Sequence, residues 1–381
     1  MTRRTRAAIG FLAFATALSF GCVEGFINQV EPVALPEVSD EARALHESTL
    51  VADLHADSLL FRRDLTKRAS RGHVDLPRLR EGGVGLQVLG VVTRVYAGTN
   101  IDRTEATGFD LITLLGCVSF RRACFGGAFD RLEEQAGLLE KNVERDAGLV
   151  WVRTRADLGE LQERRSADAN VVGVTLGIEG AHALEGDPAN LEAAFGLGVR
   201  MIGLAHFFDN AYAGSAHGVD KGGLTQIGRD TLARMEELGM AVDLAHLSPA
   251  AIDETLAMAT KPVVVSHGGV KGTCDNARTL SEAHVRAIAA NGGVIGIGYW
   301  EAAICGTTPA HFARAARHVA DLVGDDHVAL GSDYDGSTTV GFDTSQLRAI
   351  TQALFDTGFD ADAIRRILGG NVVRVLAATL P

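Results

Sequence analysis

The sequence predicts an α/β protein built as a (β/α)8 TIM barrel, with a long insertion after the second strand. Eight short apolar segments follow one another along the chain. Most of the intervals between them carry amphipathic helical patterns, as in residues 224–238 and 309–323. Eight strands that alternate with helices are what such a barrel requires, and 381 residues suit its size. A doubly wound sheet is the structural alternative.

The predicted strands share a direction, because each is joined to the next through a helix. They span residues 51–57, 84–92, 171–179, 201–206, 240–246, 262–267, 293–299 and 328–333. In a parallel barrel the carboxyl ends of all strands meet at one rim. Polar residues that end these segments are therefore expected to lie together.

Two consecutive strands, residues 240–246 and 262–267, each end in a histidine. Ser248 and the proline after it open a helical run between them, which completes a strand, helix, strand unit. His246 and His267 are therefore expected to lie side by side at the rim.

Other predicted strands also end in polar residues. The first ends in His55 and Asp57, which period-two alternation directs into the same space. Glu179 ends the third, His206 the fourth and Asp333 the eighth. Each alone has an ordinary explanation, such as a turn acid or a helix-capping aspartate. Six strands that end in such residues at one rim instead predict a functional site.

The five residues His55, Asp57, Glu179, His246 and His267 form a set of nitrogen and carboxylate ligands without a thiolate. Such a set suits zinc or a similar divalent ion. Five ligands are more than one catalytic zinc needs, but they suit two ions that share a bridging carboxylate. We expect Glu179 to be that bridge.

The N-terminus has the layout of a secretory signal, with three arginines before an apolar run that is too short to span a membrane comfortably. We predict a signal peptide over residues 1–21, a tether over 22–42 and the metal-dependent domain over 43–381. The LSFG sequence before Cys22 is similar to a bacterial lipobox, although its phenylalanine is atypical. The protein is expected to be exported to the bacterial periplasm or cell surface, and whether Cys22 is lipidated stays open.

The charge and the cysteines limit the partners. The formal net charge is −12, and removal of the signal arginines makes the mature chain more acidic still. Such a surface argues against nucleic acid or anionic lipid as a partner, so any membrane contact is expected only through a lipid on Cys22. Cys117, Cys124, Cys274 and Cys305 are either disulfide-bonded, as export permits, or buried thiols.

The interval between the second and third strands, residues 93–170, is far longer than the others. It contains a predicted helix over residues 129–145. Long excursions from a barrel rim commonly shape or cover the site.

The chain resembles the membrane (renal-type) dipeptidases, zinc peptidase family M19 among the amidohydrolase-like barrels. The matching pieces cover almost the whole predicted domain. They are DLHAD, GIEGAHAL, GLAHFFDNAYAG, GGLTQIGRDTLARMEELGMAVDLAHLS, PVVVSHGG, NARTLS, GVIGIGYW, GSDYDG and GGNVVRVL.

The resemblance implies two zinc ions per chain, one held by His55 and Asp57 and the other by His246 and His267, with Glu179 between them. A dipeptide is the implied substrate, attacked by hydroxide held between the ions.

The resemblance also implies roles for residues that hold no metal. His206 matches the histidine that contacts the scissile carbonyl oxygen, and Asp333 matches the acid/base that handles protons. Arg278 matches the arginine that binds the substrate carboxylate, and Tyr299 a tyrosine lining the pocket. Members also tolerate a D-residue at the C-terminal position.

This chain departs from the family pattern at Ala181, where glycine is usual, and at Thr279, where asparagine is usual. Neither residue is an implied ligand. Cys274 and Cys305 resemble a disulfide pair of the animal members, and the family's frequent dimers leave a homodimer open.

We therefore interpret the sequence as an exported binuclear zinc dipeptidase acting on L-Xaa-L-Xaa or L-Xaa-D-Xaa dipeptides. One alternative is a related barrel hydrolase acting on a lactone, an ester, a phosphotriester or a β-lactam amide. The other is an inactive lipoprotein that uses the barrel for binding.

Overall fold

Eight parallel strands close into a barrel in the computed structural model, which describes residues 23–113 and 126–381. The strands are β1 Val51–Ala56, β2 Val84–Val92, β3 Val172–Glu179, β4 Val199–Gly203, β5 Ala241–Asp243, β6 Val264–Val270, β7 Val294–Ile297 and β8 Val328–Leu330. Each strand pairs with the next, and β8 pairs with β1 through Leu330 and Asp53. This closure confirms the predicted barrel and excludes the doubly wound sheet.

Three strands end about three residues earlier than predicted. The ladder stops at Gly203 in β4, at Asp243 in β5 and at Leu330 in β8. His246 and Asp333, which follow two of these strands, have positive φ angles of 64° and 57°. A residue in that left-handed conformation cannot continue a strand, so both side chains leave the rim from turns.

Helices surround the barrel. They span Asp40–Glu47, Leu76–Glu81, Ala128–Arg145, Arg155–Ala167, Pro188–Gly196, Gln226–Leu238, Pro249–Met258, Glu282–Ala290, Glu301–Ile304, Pro309–Val323, Arg348–Asp356, Ala361–Arg365 and Asn371–Thr379. Ser248 and Thr308 cap two of them, each followed by a proline at the first helical position, where no backbone N–H is needed.

An apolar cluster fills the amino end of the barrel interior. Ala52, Leu86, Val264 and Val294 belong to it, and each lies within the first three residues of its strand. The C-terminal helix adds Val372, Val375 and Leu376 to the same cluster. Because the amino end is packed with apolar side chains, polar groups can collect only at the carboxyl end.

The insertion after β2 contributes both to the scaffold and to the rim. Its helix Ala128–Arg145 begins one residue before the predicted start, and its strand Leu149–Trp151 pairs in parallel with β3. Nearer to β2, Tyr96 pairs with Asp110 across a loop. Cys117 and Cys124 lie outside the described residues.

The segment predicted as a tether contacts the barrel. Gln29–Val30 pairs in parallel with Thr339–Val340, and the buried Glu24 forms an ion pair with Arg63 at 2.7 Å. The helix Asp40–Glu47 starts within the predicted tether, because Ser39 caps it. The absence of periodicity predicts a tether, whereas the strand pairing and the ion pair attach this segment to the barrel. The predicted signal peptide and Cys22 lie outside the described residues.

Two further facts bear on the expectations about the membrane and the cysteines. Within residues 23–113 and 126–381, no helix combines the length and apolar character needed to cross a bilayer. Cys274 and Cys305 lie in disulfide geometry, with their Cα atoms 5.3 Å apart.

Candidate active site

The polar residues predicted at the strand ends converge at the carboxyl rim. His55 lies within β1, Glu179 ends β3, and His267 lies within β6. Asp57 and His246 follow β1 and β5, and all five side chains are buried. The structure therefore brings together every residue that the sequence proposed as a metal ligand.

One side of the cluster is built around His55. Its Nε2 atom lies 3.3 Å from Asp57 Oδ1, 3.8 Å from Glu179 Oε1 and 4.0 Å from Asp333 Oδ1. A glycine of the neighbouring strand makes room for this arrangement, since a Cβ on Gly90 would lie 2.4 Å from Asp57 Oδ1.

The other side contains three histidines. The Nε2 atoms of His246 and His267 lie 3.0 Å apart, and Glu179 Oε1 is 2.9 Å from the first and 3.3 Å from the second. The second carboxylate oxygen of Glu179 is 3.2 Å from His206 Nε2. Glu179 thus connects both sides of the cluster.

Burial and like charge raise the pKa values of Glu179 and Asp333. Burial raises the pKa of Glu179 well above its usual value, and the Asp57 carboxylate raises it further. Burial raises the pKa of Asp333 to about 7, although His55 opposes the shift. Burial lowers the pKa of His55, but Asp57 and Glu179 outweigh it and raise that pKa to about 10. The cluster therefore requires positive charge, from protons or from a cation.

The remaining histidines are held neutral. Burial lowers the pKa of His206, His246 and His267 well below the usual value, and nearby cationic groups lower it further. A neutral imidazole offers a free nitrogen lone pair, which is the form that binds metal.

Several observations fit a metal centre. Among the residues that the structure describes, His55 Nε2 and Asp57 Oδ1 are buried without a hydrogen-bond partner. Three overlapping groups of ligand atoms each lie within 4.8 Å of one another: His55, Asp57 and Glu179; His55, His267 and Asp333; Glu179, His206 and His246. Nitrogen and oxygen donors converging in this way suit a divalent ion. His206 and Asp333, which the sequence predicts at the same rim but not as ligands, also lie close enough to bind a metal.

A hydrogen-bonded chain orients His267. Its Nδ1 atom lies 2.8 Å from Ser266 Oγ, and that hydroxyl donates to Asp243 Oδ2 at 2.6 Å. Asp243 also accepts the Ser266 backbone N–H. A carboxylate behind the ring keeps Nε2 free toward the cluster.

Arg278 is buried beside the histidines. One terminal nitrogen donates to the His267 carbonyl at 2.8 Å and lies 3.4 Å from His246 Nε2. Its guanidinium carbon is 5.8 Å from the centre of the Trp300 ring. The group therefore offers a fixed positive charge next to the ligand cluster.

Tyr299 does not line the cavity. Its side chain is fully buried and packs against Phe312, Tyr334 and Phe342. Because β7 ends at Ile297, the alternation of the strand does not continue to Tyr299, and Trp300 faces the cavity instead. Contrary to expectation, the structure therefore places Trp300 rather than Tyr299 in the cavity wall, and no pattern in the sequence selects Trp300.

The cluster opens into a cavity of about 810 Å³. Asp57, Glu179, His206, His246, Arg278 and Asp333 line its polar end. Much of the remaining wall is apolar and includes Ile27, Leu60, Val92, Ile101 and Trp300. The arrangement can hold cations at one end of a chamber and bind a carboxylate beside them.

Histidine and carboxylate donors at the carboxyl rim of a (β/α)8 barrel, facing a cavity, define a metal-dependent hydrolase. The family model of the membrane dipeptidases (peptidase family M19) matches residues 39–380. The chain belongs to this family and is a metallo-dipeptidase.

Individual relatives agree with the family model. The chain is 31% identical to an uncharacterized protein in the pqqA 5′ region of Klebsiella pneumoniae, over 66% of this chain and 97% of that protein. It is 29% identical to dipeptidase verJ of Clonostachys rogersoniana, over 80% of this chain and 75% of that protein.

A solved structure has the same fold. It is a metallopeptidase of Rhodobacter sphaeroides liganded with a phosphinate mimic of the dipeptide L-Ala-D-Ala. The two chains superpose with a TM-score of 0.70 at 23% identity, over 87% of this chain and 100% of that one.

The position of Glu179 between both halves of the cluster leads to a first prediction. Glu179→Ala is expected to abolish binding of both ions, because its carboxylate serves both groups of donors. Metal content after dialysis against zinc, measured by mass spectrometry, checks this. The matched control is Glu163→Ala on an exposed helix surface, which is expected to bind zinc like the unaltered protein. A Glu179→Ala protein that keeps two ions contradicts the prediction.

Proposed function

We propose that the protein is a binuclear zinc dipeptidase, exported to the periplasm or cell surface, that hydrolyses L-Xaa-L-Xaa or L-Xaa-D-Xaa dipeptides. The observation that carries the proposal is the position of the Arg278 guanidinium beside the metal-ligand cluster in one cavity. In this proposal His55 and Asp57 hold one ion, His246 and His267 hold the other, and Glu179 bridges them. When bound, such ions polarise the substrate carbonyl and lower the pKa of a water molecule.

Arg278 binds the substrate carboxylate in this proposal. Guanidinium and carboxylate form two parallel charge-assisted hydrogen bonds, which orient the substrate as well as bind it. Because the Arg278 guanidinium lies beside the cluster, we expect a substrate that reaches both groups to have only one residue beyond the scissile bond. Tripeptides should therefore be poor substrates.

In this proposal His206 stabilises the substrate carbonyl oxygen, and Asp333 transfers the protons. The neutral His206 can donate from Nε2, which already faces the cluster at 3.2 Å from Glu179. A donor placed there stabilises the negative charge that develops on the carbonyl oxygen. Asp333, with a pKa raised by burial, can take a proton from the attacking water and give it to the departing amine.

The L,D specificity is supported by the relative from Rhodobacter sphaeroides, whose ligand mimics L-Ala-D-Ala. Export is supported by the predicted signal over residues 1–21. A lipid on Cys22 and a homodimer remain expectations from the lipobox-like sequence and from the family.

One experiment tests the proposal as a whole. Purified protein is assayed against a library of L,L- and L,D-dipeptides, together with lactones, esters and phosphotriesters, and zinc is quantified in the same sample. Turnover of dipeptides with close to two ions per chain supports the proposal. Turnover restricted to the other substrates, or zinc binding without any turnover, contradicts it.

Replacing the proton carrier should slow catalysis without removing the metals. Asp333→Asn is expected to lower kcat by about 10²–10⁴-fold, because an amide cannot shuttle a proton. The zinc content should stay at the level of the unaltered protein. Steady-state kinetics and metal analysis check both statements, with the exposed Asp326→Asn as control. An unchanged kcat refutes this role.

Blocking the substrate carboxylate should show whether Arg278 anchors it. Dipeptide carboxamides are expected to have kcat/KM values about 10²-fold below those of the free acids, which corresponds to about 2.7 kcal/mol of transition-state stabilisation. Arg278→Ala should remove this difference by slowing the acids to the rate of the amides. If the unaltered enzyme cleaves amide and acid equally fast, Arg278 is not the anchor.

Cys274 and Cys305 are predicted to form a disulfide in the exported protein. Protein isolated from the periplasm should resist alkylation at both residues after denaturation without reductant, and react at both after reduction. Peptide mapping distinguishes these sites from the other cysteines. Alkylation of both thiols without reductant contradicts the prediction.

A further inference from the structure

His217 is a fully buried histidine that none of the roles above uses. It lies in the loop between β4 and β5. Its Nε2 atom is 3.0 Å from Nδ1 of His246, and its own Nδ1 is 2.6 Å from the backbone carbonyl oxygen of Ile101. The histidine thus connects a proposed metal ligand to a residue of the insertion after β2.

The direction of these two hydrogen bonds follows from chemistry. A carbonyl oxygen only accepts, so His217 Nδ1 must carry the hydrogen that points to Ile101. A histidine that binds metal through Nε2 keeps its hydrogen on Nδ1, so His246 must donate to His217. The Nε2 atom of His217 is then the acceptor. Each of the two hydrogen bonds, His246 to His217 and His217 to Ile101, then has one donor and one acceptor.

The surroundings hold His217 in place from several directions. Its backbone N–H donates to Ser215 Oγ at 3.1 Å, and its carbonyl accepts from the backbone N–H of Thr104 at 2.6 Å. The ring packs against Phe207, with centroids 4.7 Å apart. The side chain therefore has little freedom to turn, and it presents Nε2 to His246.

We propose that His217 is a positioning residue that fixes His246 as the Nδ1–H tautomer and couples this ligand to the insertion loop. The inference rests on the proposed role of His246 as a metal ligand. His267 is oriented by Ser266 and the Asp243 carboxylate, whereas His246 is oriented by a second histidine that ends on a main-chain carbonyl. The two neighbouring histidines are thus oriented by different hydrogen-bonded chains, one that ends on a carboxylate for His267 and one that ends on a main-chain carbonyl for His246.

The coupling reaches the substrate cavity, because Ile101 lines it together with Gly98, Thr99 and Asn100. The Ile101 carbonyl and the Thr104 N–H of this loop both bond to His217. Removal of the His217 side chain therefore removes the hydrogen bonds to His246 and to Ile101 together, whereas the bond from Thr104 to the His217 backbone stays.

Three variants of the full-length protein separate hydrogen bonding from packing. His217→Phe keeps an aromatic ring against Phe207 but cannot accept from His246. His217→Ala removes both the ring and the hydrogen bonds. His217→Gln retains an acceptor for His246 and a donor for Ile101. Zinc affinity is measured by competition with a chromogenic chelator, and the visible spectrum of cobalt(II)-loaded protein reports the geometry of the ligands.

His217→Phe and His217→Ala are expected to weaken binding of the ion assigned to His246 by about 10–100-fold and to change the cobalt spectrum. His217→Gln should stay within about threefold of the unaltered protein. The matched control is His318→Phe, a half-buried histidine that does not line the cavity. Thermal unfolding of each metal-free variant shows that it is folded.

The outcomes distinguish failure of the positioning role of His217 from failure of the proposed metal centre. If His217→Phe binds zinc and absorbs like the unaltered protein, the hydrogen bond has no positioning role and the inference is overturned. The same holds if His217→Gln is as weak as His217→Phe. If the unaltered protein binds no zinc, the proposed metal centre fails first, and this inference fails with it.

Discussion

The structure depends on three carboxylates, the buried Asp57 and Glu179 and the partly buried Asp333, that all lie within 4.0 Å of His55 Nε2. Such groups repel each other and lose hydration, so the site is stable only when cationic groups or ions compensate. The His55 imidazole and the Arg278 guanidinium supply part of that compensation. The rest of the barrel can be understood as the scaffold that holds this unfavourable arrangement in place.

The barrel meets this demand by separating its two ends. Apolar side chains from the first residues of the strands pack the amino end, together with the C-terminal helix. At the other end Asp53 accepts backbone N–H groups from both His55 and Ser332, and so fastens β1 to the turn that carries Asp333. The site residues therefore come from segments whose positions are fixed by strand pairing and by buried hydrogen bonds. Little rearrangement is needed to assemble them.

Much of this arrangement was predictable because strand periodicity and barrel closure are regular. Alternation along β1 places His55 beside Asp57, and the adjacency of β5 and β6 places His246 beside His267. Strand periodicity does not indicate the direction of side chains in the turn after β7. Tyr299 and Trp300 lie in that turn and packing sets its direction, so the sequence pattern points to Tyr299 although Trp300 faces the cavity. His217 was missed because its partners, Ile101 and His246, lie in loops far apart in the chain.

The contact between Cys274 and Cys305 joins two segments that shape the same part of the cavity. Arg278 follows the first cysteine by four residues, and Trp300 precedes the second by five. The proposed metal ligands, by contrast, lie at the ends of strands that the barrel itself holds. A cross-link here would therefore govern which substrates fit, and leave the retention of ions to the barrel. Reducing conditions would then loosen the segments that carry Arg278 and Trp300 while the metal ligands stay in place on the barrel.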